Sequence, residues 1–180
     1  LSCSDPDNDE VAVIETSYGR IAIELLAADA PKHVANFKEL ARAGSYDGTK
    51  FHRLVKGGGR DIAIQGGDPN TINGDPSTWG QGNPNQKTVP HEFSTTLKHV
   101  RGIVSAARRG NDVDSATSQF FICTAGQPGW DGQYSIFGRV IEGMNVVDTI
   151  VRAPVWPNTE RPMDPVTVTR VYLVKRTELK

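Results

Sequence analysis

Three residue types in this chain could work together on a polypeptide: a guanidinium at Arg53, an amide at Gln119 and an aromatic ring at Phe121. Ser115-Ala116-Thr117-Ser118-Gln119 is polar and turn-forming, and it feeds directly into the apolar run Phe120-Phe121-Ile122-Cys123. Gln119 and Phe121 are therefore predicted to point the same way at the start of a strand. Some sixty residues earlier, Arg53 stands between Phe51-His52 and Leu54-Val55, a second strand pattern with the charge alternating against apolar neighbours. Such a set can hold a peptide backbone beside an apolar ring. It contains no nucleophile context, no metal cage and no phosphate cradle.

Composition narrows the field. A length of 180 residues fits one domain with one hydrophobic core. A formal net charge of −1 gives no general attraction to nucleic acid or to an anionic membrane surface. No apolar run approaches the roughly 20 residues needed to span a bilayer as a helix. Eighteen Gly and 11 Pro favour a turn-rich β fold over long helices. His33, His52, His91 and His99 lack metal-ligand spacing, and Gly57-Gly58-Gly59 precedes neither a Lys-Ser/Thr pair nor a helix.

The elements that must carry the three residues can be drawn from periodicity. Val11–Ile14 and Arg20–Leu25 read as a hairpin, with Ile21, Ile23 and Leu25 on one face. Val34, Phe37, Leu40 and Ala41 recur at helical spacing, with Asp29 and Pro31 as start signals and Gly44 as the stop. Strands are predicted at Phe51–Val55, Ile62–Gln65, Ile103–Ala107, Gln119–Thr124, Ile136–Val140 and Val166–Val174, and a second helix at Met144–Val151. In the last strand Val166, Val168, Arg170, Tyr172 and Val174 are expected on one face. Residues 66–92 form a long Gly-, Pro- and Asn-rich stretch, expected to be functional or disordered. The fold class is mainly β: a closed eight-stranded antiparallel barrel capped by two α-helices.

Residues 1–10 are expected to be a disordered tail ahead of a domain spanning 11–180. Leu1-Ser2-Cys3 is similar to the end of a bacterial lipoprotein signal, in which the Cys becomes the lipidated first residue, and the acidic run after it would be a tether. A cell-envelope or periplasmic location, with a lipid anchor at Cys3, is one expectation; an arbitrary fragment boundary and a cytoplasmic location are the other. Cys123 reads as a buried thiol acting as a small hydrophobe.

Taken in order, several blocks resemble the cyclophilin family of peptidyl-prolyl cis-trans isomerases, and look closest to its bacterial members. They are Ala30-Pro31-Lys32 with Asn36-Phe37, Tyr46-Asp47-Gly48-Thr49, Phe51-His52-Arg53 and Gln65-Gly66-Gly67-Asp68-Pro69. Glu92-Phe93, Gly102–Ala107, Asp114–Ile122, Asp131-Gly132 and Phe137–Met144 complete the series. The resemblance implies an isomerase without a cofactor, acting on proline-containing polypeptides and assisting their folding. No nucleic-acid partner is implied, and a monomer is expected.

The implied chemistry is physical. An X-Pro amide resists rotation with a barrier of about 18–20 kcal/mol, because its C–N bond has double-bond character. Twisting removes that resonance and leaves a pyramidal nitrogen with a basic lone pair. A fixed guanidinium donating to that nitrogen, or to the neighbouring oxygen, binds the twisted state better than the planar one. The resemblance assigns this role to Arg53. It has Gln65 orient Arg53 or the substrate backbone, Phe121 floor the proline pocket, and Gln119 with the backbone of Ala107 and Arg108 hold the peptide. Tyr134 stands where the family often carries His.

Three departures stand out. The link from Arg53 to Gln65 is about four residues longer than usual, and its Gly57-Gly58-Gly59 run is expected to be flexible. The family's Phe-Met pair becomes Ile62-Ala63, a loss of apolar contact that could weaken proline binding by about 1–2 kcal/mol, roughly tenfold, unless Ile62 fills the gap. At Gly129-Trp130-Asp131-Gly132, Trp130 takes the place of a Leu and can still wall the pocket. A non-catalytic peptide-binding module is the alternative reading, and a hydrolase a distant third.

Overall fold

The structure is a computed structural model and describes residues 9–179; Cys3, the lipid-anchor expectation and most of the predicted tail lie outside them. Eight strands are present: β1 (Glu10–Thr16), β2 (Gly19–Leu25), β3 (Arg53–Gly57), β4 (Arg60–Gly66), β5 (Ile103–Ala106), β6 (Phe120–Cys123), β7 (Ile136–Glu142) and β8 (Val168–Lys175). All pair antiparallel in the order β3-β4-β6-β5-β7-β2-β1-β8. The sheet is curled, and its ends meet through the segment just before β3 rather than through β3 itself. Lys50 bridges Thr167, and the N–H groups of Gly48 and Phe51 donate to Val168 and Val166 carbonyls at 2.8 and 3.0 Å. Phe51 and His52 thus belong to this closing segment and not to the predicted strand. Glu10, expected in the tail, is the first residue of β1.

The strands alternate inward and outward, and the inward set builds the core. Leu54, Ile64, Ile122 and Val104 form one inner row across β3, β4, β6 and β5, each almost inaccessible to solvent. Phe120 is the hub: its ring meets those of Phe37, Tyr46 and Phe51 edge-on at centroid distances of 5.7–5.9 Å. Each such ring contributes roughly 1.5–3 kcal/mol through burial. β8 departs from strict alternation. Glu15 pairs with Arg170 and Thr16 with Val168, so Thr169 is bulged out and both Val168 and Val171 reach the core. The predicted single-face series through Arg170 is corrected by that bulge.

Among the described residues two helices cap the sheet, and a third is a single turn. α1 (Pro31–Arg42) buries Val34, Phe37 and Ala41; α3 (Met144–Val151) buries Val147, Ile150 and Val151. α2 (Asn70–Asn73) is a single turn inside the 66–92 stretch. Asp29 does not cap α1. Glu92, 59 residues past His33, does so from across the fold, accepting from the N–H of Lys32 at 3.2 Å and of His33 at 2.8 Å. Burial alone would raise the Glu92 carboxyl, but the donors on His33 and Lys32 hold it below the usual range.

Within the 66–92 stretch, one buried carboxylate gathers residues 68–82, while Val89 bridges Ala116 further along. Asp68 accepts from the backbone N–H of Asn70 at 3.0 Å, Gly80 at 2.6 Å and Gly82 at 3.2 Å, folding the stretch back over His52. The Gly57-Gly58-Gly59 run, expected to be flexible, is instead the tip of a hairpin. Gly57 pairs with Arg60 across Gly58 and Gly59, whose φ angles of +56° and +75° suit a two-residue type I′ turn. The insertion lengthens two strands rather than loosening a loop.

Candidate active site

On the outer face of the sheet, one cross-strand rung carries Arg53, Gln65, Phe121 and Ser105, paired in that order over β3, β4, β6 and β5. Strands lie about 5 Å apart, so Arg53 and Phe121 are two strand spacings from one another. The next outer row is Val55, Ala63 and Cys123. A bulge makes Ile62 part of the same surface. Val55 pairs with Ala63 and Lys56 with Asp61, which leaves Ile62 unpaired, and both Ile62 and Ala63 face outward.

These residues form an apolar cup separate from the core. Val55, Ile62, Ala63, Ala107, Phe121 and Cys123 pack together, with Trp130 and Tyr134 against them. Trp130 and Tyr134 meet the Phe121 ring edge-on, at 5.0 and 5.4 Å with interplanar angles of 69° and 90°. The cup therefore has an aromatic floor and two aromatic walls. Burial pushes the Cys123 thiol up to about 12, so it is a packing group at neutral pH and not a nucleophile.

Behind Phe121 stands His99, which the sequence did not single out. Its ring lies nearly parallel to that of Phe121, and its Nδ1 and Nε2 face Asp131 and Ser105 at 3.0 Å each. Burial lowers the imidazole's affinity for a proton, although Asp131 opposes this. The neutral Nδ1–H form fits: it donates to Asp131, and the Ser105 hydroxyl has two acceptors for its one proton, His99 Nε2 and the Ser135 carbonyl, each at 3.0 Å, the carbonyl also accepting from the Ala106 N–H at 2.9 Å.

Beside the cup runs a chain of hydrogen bonds with one polarity. Arg53 Nη1 faces Gln65 Oε1 at a long 3.4 Å; Gln65 Nε2 donates to Gln119 Oε1 at 3.1 Å; Gln119 Nε2 donates to the Gly80 carbonyl at 3.0 Å. At the other end, Arg53 Nε donates to Glu160 Oε1 at 3.0 Å. The guanidinium remains about half exposed, with N–H groups left over for a ligand.

The predicted residues thus divide between two neighbouring places. Ile62, Ala63, Phe121, Trp130 and Tyr134 belong to the cup. Gln65, Arg108 and Gln119 line a polar cavity of about 670 Å³ on the Gly80 side, which also takes in Arg109, Asn111 and Thr117, and Ala107 sits between the two, part of the cup and of the cavity wall. The Ala107 N–H is used by the Gln119 carbonyl at 3.0 Å, so that backbone group serves the fold. The Arg108 side chain folds back over the Tyr134 ring, 4.7 Å from its centroid, and donates to the Gln133 carbonyl. Glu160 and His99 were missed because neither stands in a motif; they arrive by loop docking and by a ring stack.

Comparison with known proteins covers most of the described residues. The family model for cyclophilin type peptidyl-prolyl cis-trans isomerase/CLD matches residues 11–173. Among curated relatives, the human peptidyl-prolyl cis-trans isomerase-like 1 is 40% identical over 161 residues, 88% of this chain and 89% of that protein. The isomerase CYP18-1 of Arabidopsis thaliana is 39% identical over 89% of this chain and 93% of its own length. For the isomerase-like 2 protein of Rhizopus delemar, 42% identical, the match takes 80% of this chain and 25% of that longer protein. A Cryptosporidium parvum cyclophilin type isomerase, solved in the presence of the dipeptide Ala-Pro, superposes with a TM-score of 0.79 at 30% identity, over 92% of this chain and 99% of that one. The expected bacterial likeness is met in part: these relatives are eukaryotic, while a cyclophilin from Hirschia baltica aligns with a TM-score of 0.73 at 27% identity over 98% of this chain and 76% of that one.

Proposed function

The chain belongs to the cyclophilin type peptidyl-prolyl cis-trans isomerases, and from that membership we propose that Arg53 is its catalytic residue, acting on X-Pro bonds in flexible polypeptides. The observation that supports this reading is the rung Arg53–Gln65–Phe121, a donor and an apolar ring two strands apart on one face. A prolyl ring seated on Phe121, between Trp130 and Tyr134, would direct its amide along the rung toward the guanidinium. The polypeptide on the other side of that amide would run past Gln119 into the polar cavity.

The reaction needs no covalent step. As the amide twists, its nitrogen gains a lone pair, and Arg53 has N–H groups free to donate to it or to the adjoining oxygen. The donors are preorganised by neighbours, so stabilising the twisted state does not require them to reorganise. Gln65 presents its carbonyl oxygen to Arg53 and its amide to Gln119, which keeps the acceptor end of Gln65 away from the substrate. Arg stays charged across the working pH range, and its planar fork is not reproduced by Lys. The Ala63 position costs the cup some apolar area, and Ile62, brought outward by the bulge, restores part of it.

The test is cis-to-trans relaxation of a short proline peptide. Wild type accelerates it, and Arg53→Ala removes most of the effect, about 10²–10³-fold, as loss of a preorganised donor does elsewhere. Arg53→Lys stays close to the Ala variant. Tight peptide binding by wild type with no rate effect would instead identify a non-catalytic binding module.

A further inference from the structure

We propose that Glu160 is a positioning residue for Arg53, a strut that sets the guanidinium before substrate arrives; the inference rests on the catalytic reading of Arg53. β3 is the outermost strand in the hydrogen-bonded order, so the N–H groups on its free edge lack a strand partner. Glu160 takes two of them. Its main-chain oxygen accepts from Leu54 N–H at 2.7 Å, and its Oε2 accepts from Lys56 N–H at 3.1 Å. The second carboxylate oxygen, Oε1, takes the Arg53 Nε–H at 3.0 Å.

The consequence lies in what holds the carboxylate still. Lys56 N–H is backbone within a paired strand, so the strut is braced on the sheet itself and not on another swinging side chain. Arg53 is then fixed along its Nε edge, with Gln65 only a long 3.4 Å away on Nη1. Of its five donors, three face neither anchor. Without the Nε contact, a side chain 48% exposed would be steered by that one long contact alone and would sample several rotamers.

A carboxylate beside a guanidinium also draws off part of its field. Both side chains are partly open to water, at 48% and 35%, so solvent screens that loss. Orientation is not screened. The effect of Glu160 therefore falls on turnover more than on affinity. The main-chain contact from Leu54 survives any substitution at 160, which keeps the loop docked when the side chain is cut back.

The experiment measures cis–trans exchange of an Ala-Pro peptide by exchange NMR, with enzyme at concentrations near those of the peptide so that residual rates are readable. Peptide affinity and melting temperature are measured on the same samples. Glu160→Ala is expected to slow exchange about tenfold with peptide affinity within about twofold, the penalty of a misoriented group. Glu160→Gln, which can keep the Arg53 contact but not a good one to Lys56, falls between. In an Arg53→Ala background, Glu160→Ala changes nothing further. Equal loss in both backgrounds, or a wild-type rate for Glu160→Ala beside a slow Arg53→Ala, overturns the strut alone. A wild-type rate for Arg53→Ala overturns the catalytic reading and the strut with it.

Discussion

His99 and Phe121 stack with centroids 5.9 Å apart and planes 23° from parallel, so the floor of the cup rests on a buried imidazole. His99 bridges the 94–99 segment to β5 through Ser105 and to the Trp130 loop through Asp131. Three pieces around the cup are thus tied at one ring.

Stability is expected to fall as the solution is acidified below pH 6.5. Burial depresses both His99 and His52 from their usual 6.5. On acidification the unfolded chain takes up these protons first, so the stabilisation is complete above 6.5 and is lost as pH drops through the lower folded values. Glu92 and Asp131, held below the usual 4.5 and 3.8, add their losses only under those values. Urea unfolding from pH 8 to 5 should show this decline, and His52→Asn should flatten part of it. A pH-independent midpoint across that window would remove both neutral imidazoles from the account.

Phe121→Leu keeps the strand and the apolar character but removes the ring that meets His99, Trp130 and Tyr134. A stability loss of about 1–2 kcal/mol is expected from the smaller side chain. In the peptide assay KM should rise roughly tenfold while kcat stays within a fewfold, since the ring binds the prolyl group in planar and twisted forms alike. An unchanged KM would place the prolyl ring elsewhere.

The hairpin tip offers a cleaner test of backbone conformation. Gly58 and Gly59 both have positive φ and no atom within 4 Å of a built side-chain carbon, so strain and not crowding sets the cost of substitution. Gly58→Ala and Gly59→Ala should each cost about 1 kcal/mol in unfolding free energy, and Gly58→Asn much less. Equal, negligible effects for all three would mean that the tip does not hold the type I′ turn.

Residue type and spacing carried much of this architecture. Val34, Phe37 and Ala41 on one helix face, and Ile21, Ile23 and Leu25 on one strand face, lie in the core as their periods require. Gln119, Phe121 and Arg53 meet on one surface for the same reason. What the pattern could not hold were features made by pairing. The bulges at Ile62 and Thr169 shift the alternation by one residue, and they exist only in register with a neighbouring strand. The cap on α1 and the brace on Arg53 come from Glu92 and Glu160, at 59 and 107 residues' separation from His33 and Arg53. Local sequence around either carboxylate gives no hint of its partner.

Phe120 and Phe121 are neighbours in the chain and strangers in space, one at the centre of the core and the other on the floor of the cup. A single-residue slip in β6 would swap their tasks and silence both at once. Barring such a slip, the two rings are insulated by the thickness of one sheet, which leaves the ligand surface open to redesign while the scaffold beneath keeps its own accounts.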